Sequence, residues 1–179
     1  DQHLSVLEAK KIEYGLPAIP IAFRDSIQGK KISLSIEPQY SKVTFRYSIN
    51  PLDHSKIRPF QDYTSPLDLL QGNNYHIIVN PLYRGKTIAQ TFDYYANVHA
   101  GVFGKIELGF TPSPYYPGES NSALIDGRLG TSDFRDGAWQ AVSGSNIEAI
   151  IDLQSEQKVS KVSTNFFHYA NAWIFRPSQ

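Results

Sequence analysis

An all-β fold is predicted, and three observations predict it. Ile32, Leu34 and Ile36 alternate with Ser33 and Ser35, and Val43, Phe45, Tyr47 and Ile49 alternate with Thr44, Arg46 and Ser48, the period of two that half-buried strands show. Turn-forming pairs punctuate the chain at Gln28-Gly29, Asn50-Pro51, Gly72-Asn73, Asn80-Pro81 and Arg84-Gly85, with Thr111-Pro112-Ser113-Pro114 further on. No long helical pattern separates the strand patterns, which argues for antiparallel sandwiches over a parallel α/β sheet.

Taken in order, Leu4, Leu7 and Ile12 fall near helical spacing, the only such signal in the chain. The two alternating segments follow as strands separated by a proline-containing turn. Further strands are expected at Tyr75 to Val79, Thr87 to Tyr94, Lys105 to Phe110, Ile147 to Leu153 and Val159 to Phe167. Between residues 97 and 104, Gly101 and Gly104 interrupt the strand patterns, and beyond them Gly, Ser and Asp become more frequent. The expected division is a linker at 1–14, a sandwich domain at 15–97 and a second domain at 104–179. The stretch from 111 to 146 is too long for an ordinary connection and marks a candidate functional loop.

Composition narrows the function. The chain has 179 residues with 17 basic and 17 acidic side chains, so it lacks the clustered positive charge that binding a phosphate backbone requires; nucleic acid is not an expected partner. Leu16 to Phe23 is the longest apolar run, is broken by Pro17 and Pro20, and falls far short of the ~20 residues of a membrane helix. With no cysteine, disulfides, thiolate metal sites and cysteine nucleophiles are excluded together. The absence of methionine and the start at Asp1 lead to the expectation of a piece of a longer polypeptide.

Catalytic patterns are missing. There is no G-x-S-x-G elbow and no G-x-G-x-x-G, and Gly85-Lys86-Thr87 lacks the upstream glycine of a phosphate loop. His3, His54, His76, His99 and His168 are far apart in sequence and form no metal-ligand pair; each reads as structural or solvated. Asp152 and Glu156 read as a solvated strand end.

The informative stretch begins at Tyr115-Tyr116-Pro117-Gly118 and continues through Leu124-Ile125-Asp126-Gly127-Arg128-Leu129-Gly130-Thr131 and Phe134-Arg135-Asp136-Gly137-Ala138-Trp139-Gln140. It ends in Ile147-Glu148-Ala149-Ile150-Ile151-Asp152-Leu153 and Trp173-Ile174-Phe175-Arg176-Pro177. Two Asp-Gly turns, then Trp-Gln, then a strand ending in Ile-Asp-Leu resemble the first half of a coagulation-factor type C, discoidin-like domain. That jelly-roll family includes many carbohydrate-binding modules of bacterial glycoside hydrolases.

Upstream, Val43-Thr44-Phe45-Arg46-Tyr47-Ser48-Ile49 is similar to the Ig-like domain that follows the barrel of chitobiase-type β-N-acetylhexosaminidases. Asn50-Pro51-Leu52-Asp53 stands there in place of the usual Asp-Gly-Ser turn. His3-Leu4 to Leu7-Glu8-Ala9, with Tyr14 and Pro17, resembles the exit from that barrel, and Asn97-x-His99 with Gly104-Lys105-Ile106-x-Leu108 resembles the junction into the type C domain.

The resemblance implies an Ig-like β-sandwich followed by a partial jelly roll, in the accessory region of an exported family 20 glycoside hydrolase (periplasmic, cell-surface or extracellular). The parent's Asp-Glu pair would polarise the substrate's acetamido group and protonate the leaving oxygen. This chain contains no Asp-Glu dipeptide, so no residue of it is assigned a catalytic role.

Expected partners are the upstream catalytic domain and a glycan with a terminal N-acetylhexosamine. Sugar C–H faces pack on aromatic planes beside polar groups, which makes Tyr115, Tyr116, Phe134, Trp139, His168 and Trp173 the candidate contacts; core packing is the competing reading for each. The resemblance also implies a structural calcium ion near the first Asp-Gly turn, with Asp126 and Thr131 as ligands; a plain turn is the competing reading. Two further readings stand beside the leading one: a structural or protein-interaction module that binds no sugar, and a self-sufficient hydrolase. A second domain interrupted after Arg176-Pro177 is expected to leave an apolar face and strand edges open.

Overall fold

The computed structural model describes residues 6, 9–10, 19–53 and 56–177. The helical pattern through Leu4, Leu7 and Ile12, most of the 1–14 linker, His3 and His54 lie outside the described residues.

The described chain is an all-β sandwich protein whose strands pair antiparallel. Alternation places β2 (Lys31–Pro38) and β3 (Val43–Asn50) as expected, but in different sheets. In the first, β2 lies between β1 (Ile21–Gln28) and β5 (Leu67–Leu70). In the second, β3 lies between the short β4 (Gln61–Asp62) and β6 (Asn74–Tyr83); β6 also pairs with β7 (Lys86–Thr87) and β8 (Phe92–Asn97). Strands one, two and five facing three, six and eight is the strand distribution of an Ig-like sandwich.

Its core is filled by the inward members of each alternation. Ile32, Leu34 and Leu69 on one sheet and Ile77 and Val79 on the other have no exposed surface. Tyr63 ties the sheets together: its N–H donates to the Phe45 carbonyl (2.9 Å), while its hydroxyl accepts from the Ile36 N–H (3.0 Å).

The chain falls into two compact units, residues 1–103 with 127–129, and residues 104–126 with 130–179. Gly127–Leu129 runs beside β8: the Asn97 N–H donates to the Gly127 carbonyl (2.7 Å) and the Leu129 N–H to the Tyr95 carbonyl (2.9 Å). Gly127 is required there. Its φ is +81°, and a Cβ would come within 2.9 Å of Val102 Cγ2 and 3.0 Å of the Asn97 carbonyl oxygen. In the second unit β9 (Lys105–Leu108) pairs with β10 (Ala149–Asp152), and the other described residues form loops with one 3₁₀ turn at Ala170–Ala172.

Several expectations are corrected. Asn80-Pro81 is not a turn but lies inside β6, with Pro81 fully buried and its carbonyl accepting from the Ile88 N–H (3.2 Å). Thr87 to Tyr94 is not one strand. The Arg84-Gly85 turn returns the chain to β6 for two residues, after which Ile88 is buried and the ladder resumes only at Phe92. Val159 to Phe167 carries no strand pairing. On β3, the outward Ser48 and Asn50 are more deeply buried than the inward Tyr47 and Ile49. The reason is the loop after β3: the Ser48 hydroxyl donates to the Arg58 carbonyl (2.7 Å), and the Arg58 N–H donates to Asn50 Oδ1 (2.7 Å).

His99 is partly buried before the 3₁₀ turn Ala100–Phe103. Burial holds its imidazole below the ordinary value of 6.5. As pH falls below 6.5 the unfolded chain therefore takes up a proton that the folded chain does not. His99 thus favours the folded state above that value, and the advantage is lost on acidification through the window down to its lowered folded pKa. We expect the urea midpoint to fall over that interval and the slope to flatten in His99→Gln; equal slopes in both proteins would refute the assignment.

Candidate functional site

The long loop of the second unit is ordered by its own polar side chains. Asp136 is the pivot of residues 131–138: Oδ2 accepts from the Thr131 N–H (2.5 Å) and Oδ1 from the Ala138 N–H (2.9 Å). Asp133 adds a second turn, with its carboxylate accepting from the Arg135 N–H (2.9 Å). Such Asx-type closures explain how a stretch rich in Gly, Ser and Asp holds one shape without a sheet. The start of the same loop is held by backbone bonds instead: the Ser113 N–H donates to the Ala141 carbonyl (2.8 Å) and the Ala141 N–H to the Tyr116 carbonyl (2.9 Å).

That frame sorts the six aromatic candidates into two groups. Trp139, Phe134 and Tyr116 are half-buried and packed on one another's neighbours. The Trp139 indole N–H donates to the Thr131 carbonyl (3.0 Å), and its ring stands edge-on to Phe167 at 5.1 Å. The indole also lies across Gly130, where a Cβ would overlap its ring atoms. Phe134 contacts Tyr116 (5.7 Å), Phe167 (6.1 Å) and Tyr169 (6.1 Å), and the Arg135 guanidinium sits 4.6 Å from its centroid. These rings form a small, half-buried aromatic cluster with Tyr169 on its exposed side.

Tyr115, His168 and Trp173 face outward. Tyr115 is 84% exposed beside Pro114, and Trp173 is 85% exposed. Trp173 sits at the end of a four-residue loop closed by the Tyr169↔Ile174 bridge, with its N–H donating to the Ala170 carbonyl (3.0 Å). Its φ of +58° is left-handed, an uncommon and costly conformation for a bulky residue. The ring stands perpendicular to that of Phe175 at 6.5 Å, and His168 lies 6.0 Å from Phe175 on ring centroids.

Asp126 and Thr131 are the residues expected at a calcium site. The Thr131 hydroxyl accepts from the Asp133 N–H (3.1 Å) and its carbonyl from the Trp139 indole N–H (3.0 Å), and calcium takes about 6–8 oxygen ligands. Among the described residues no group of three or more His, Asp or Glu side chains converges on a point that could hold a metal. Asp152 is engaged by Gln154, whose N–H donates to Oδ1 (2.8 Å).

One polar cluster was not visible in the sequence. In the first unit the His76 ring stacks on Tyr95 (4.4 Å, 10° between planes), and its Nε2 lies 2.6 Å from Asp93 Oδ1. Burial first, and the Asp93 charge second, push the Tyr95 phenol above its ordinary value. The three residues meet only because β6 and β8 are paired, so the signal that could have found them is strand register. The sequence matches no protein-family model and no curated protein.

Proposed function

We propose that this chain is a non-catalytic accessory region of an exported bacterial β-N-acetylhexosaminidase. In this reading the first unit is an Ig-like brace or spacer for the catalytic barrel. The second, part of a discoidin-like jelly roll, binds glycans with a terminal N-acetylhexosamine. The ordered set of sequence motifs supports the parent family. The binding role rests on one observation: Trp173, 85% exposed at the end of a closed loop and held at positive φ, offers a flat apolar face next to the ring of Phe175, which the imidazole of His168 also approaches. Tyr115 is a second outward ring, while Tyr116, Phe134 and Trp139 support the loops that present them.

Affinity electrophoresis against glycans ending in N-acetylglucosamine or N-acetylgalactosamine tests this. Trp173→Ala should weaken retention about tenfold, roughly the ~1.4 kcal/mol of a lost ring contact, and Trp173→Phe should recover part of it. Unchanged retention in Trp173→Ala removes the platform. No retention of the parent chain on any glycan favours the second reading, a structural or protein-interaction module, which the exposed Ile150 and Val162 (70% and 87%) also support. No turnover of a nitrophenyl N-acetylglucosaminide is expected.

A further inference from the structure

The chain of the second unit leaves it after Asp126, contributes Gly127–Leu129 to the first unit, and returns at Gly130. The visiting segment forms an antiparallel bridge to β8, Ala96↔Arg128. Two backbone bonds flank the bridge, from the Asn97 N–H to the Gly127 carbonyl (2.7 Å) and from the Leu129 N–H to the Tyr95 carbonyl (2.9 Å). Gly127–Leu129 is therefore a short strand added to β8 on the side away from β6.

Both ends of this strap meet packed structure. Gly127 is buried against the sandwich core: a Cβ there would meet Val102 at 2.9 Å and Ile32 at 3.4 Å, and both of those residues belong to that core. At the other end, the two residues that follow Leu129 carry Trp139. The indole covers Gly130 and donates to the Thr131 carbonyl (3.0 Å), and the Thr131 N–H donates to Asp136, the pivot of the long loop. No residue lies between Leu129, held by β8, and Gly130, covered by the indole. Adjacent Cα atoms are fixed about 3.8 Å apart, so a shift at one attachment reaches the other without slack.

We infer that Gly127–Leu129 is a coupling strap: its docking on β8 and the seating of the Trp139 indole on Gly130 and Thr131 stabilise one another. The physical basis is chain entropy. Strand addition at 127–129 restricts the backbone that the indole needs ordered at 130–131, and a seated indole restricts the backbone that β8 needs at 127–129, so whichever forms second costs less. Such coupling is reciprocal, and a disturbance at either attachment is felt at the other. Order in the long loop is thereby linked to the edge of the first unit's sheet. The inference is independent of the glycan reading.

In the full chain, hydrogen exchange of the Asn97 amide reports the strap, and fluorescence in a Trp173→Phe background reports the Trp139 indole. Gly127→Ala, which strains a φ of +81° and presses on Val102, should speed Asn97 exchange and shift the Trp139 emission to the red. Leu129→Pro removes the N–H given to Tyr95 and leaves Gly127 in place; it should do the same, so the outcome does not hang on one variant's folding. In the reverse direction Gly130→Ala, whose nearest neighbours are indole atoms, should speed Asn97 exchange at least about fivefold, the lower end of ordinary coupling between sites. Gly85→Ala strains a turn beyond the far end of β6 (φ +79°) and should leave the Trp139 emission where it was. Unchanged Asn97 exchange in Gly130→Ala, unchanged emission in both Gly127→Ala and Leu129→Pro, or a red shift in Gly85→Ala would each overturn the coupling.

Discussion

Trp139→Ala is expected to unfold the second unit. Among the described large hydrophobic residues of that unit only Ile125 is buried, so its stability leans on the half-buried rings of Tyr116, Phe134, Trp139 and Phe167. Removing a packed indole costs about 3–5 kcal/mol, a large share of the ~5–15 kcal/mol that holds a typical domain folded. The change also leaves the Thr131 carbonyl without its indole donor. Gly130→Ala is the complementary test, since it deletes nothing yet requires the indole to move off the backbone it covers. In a Trp173→Phe background, fluorescence reports Trp139 alone, and both variants should shift its emission to the red and lower the urea midpoint. Midpoints equal to the parent's would mean that the indole does not organise this loop.

A second large effect is expected in the sandwich. Ile77 lies on β6 between Ile49 of β3 and Tyr94 of β8, with no exposed surface. Ile77→Ala opens a cavity on the central strand of its sheet and should destabilise by about 2–5 kcal/mol, whereas Ile77→Val should cost about 0.5–1.5 kcal/mol. Chemical denaturation measures both, with the denaturant slope unchanged if only stability is altered. Equal losses in the two variants would point to a site that collapses around the missing atoms, against the tight core described above.

The contrast between the two positions shows how far residues along the chain predict their own surroundings. Ile77 is legible because apolar residues recur at every second position of β6, and any register that buries one buries the rest. β1 was not legible: as an edge strand it keeps Arg24, Asp25 and Ser26 in solvent, and its alternation is too weak to mark it. Ser48 reads as solvent-facing from the alternation of β3 and Asn50 as a turn residue, yet a loop several residues downstream covers both. Trp139 and Trp173 each follow an alanine, yet one is half-buried and the other 85% exposed.

What the sequence determined by itself is the all-β class and its strongest strands, because a period of two is a local consequence of the pleat. Its turn residues also placed most of the breaks. What only the tertiary structure decided is which strands share a sheet, and which aromatic rings are spent on packing and which face outward. Those outcomes depend on groups distant in sequence competing for the same contacts, as Gly130, Thr131 and Phe167 do for the indole of Trp139, and no local pattern records who meets whom.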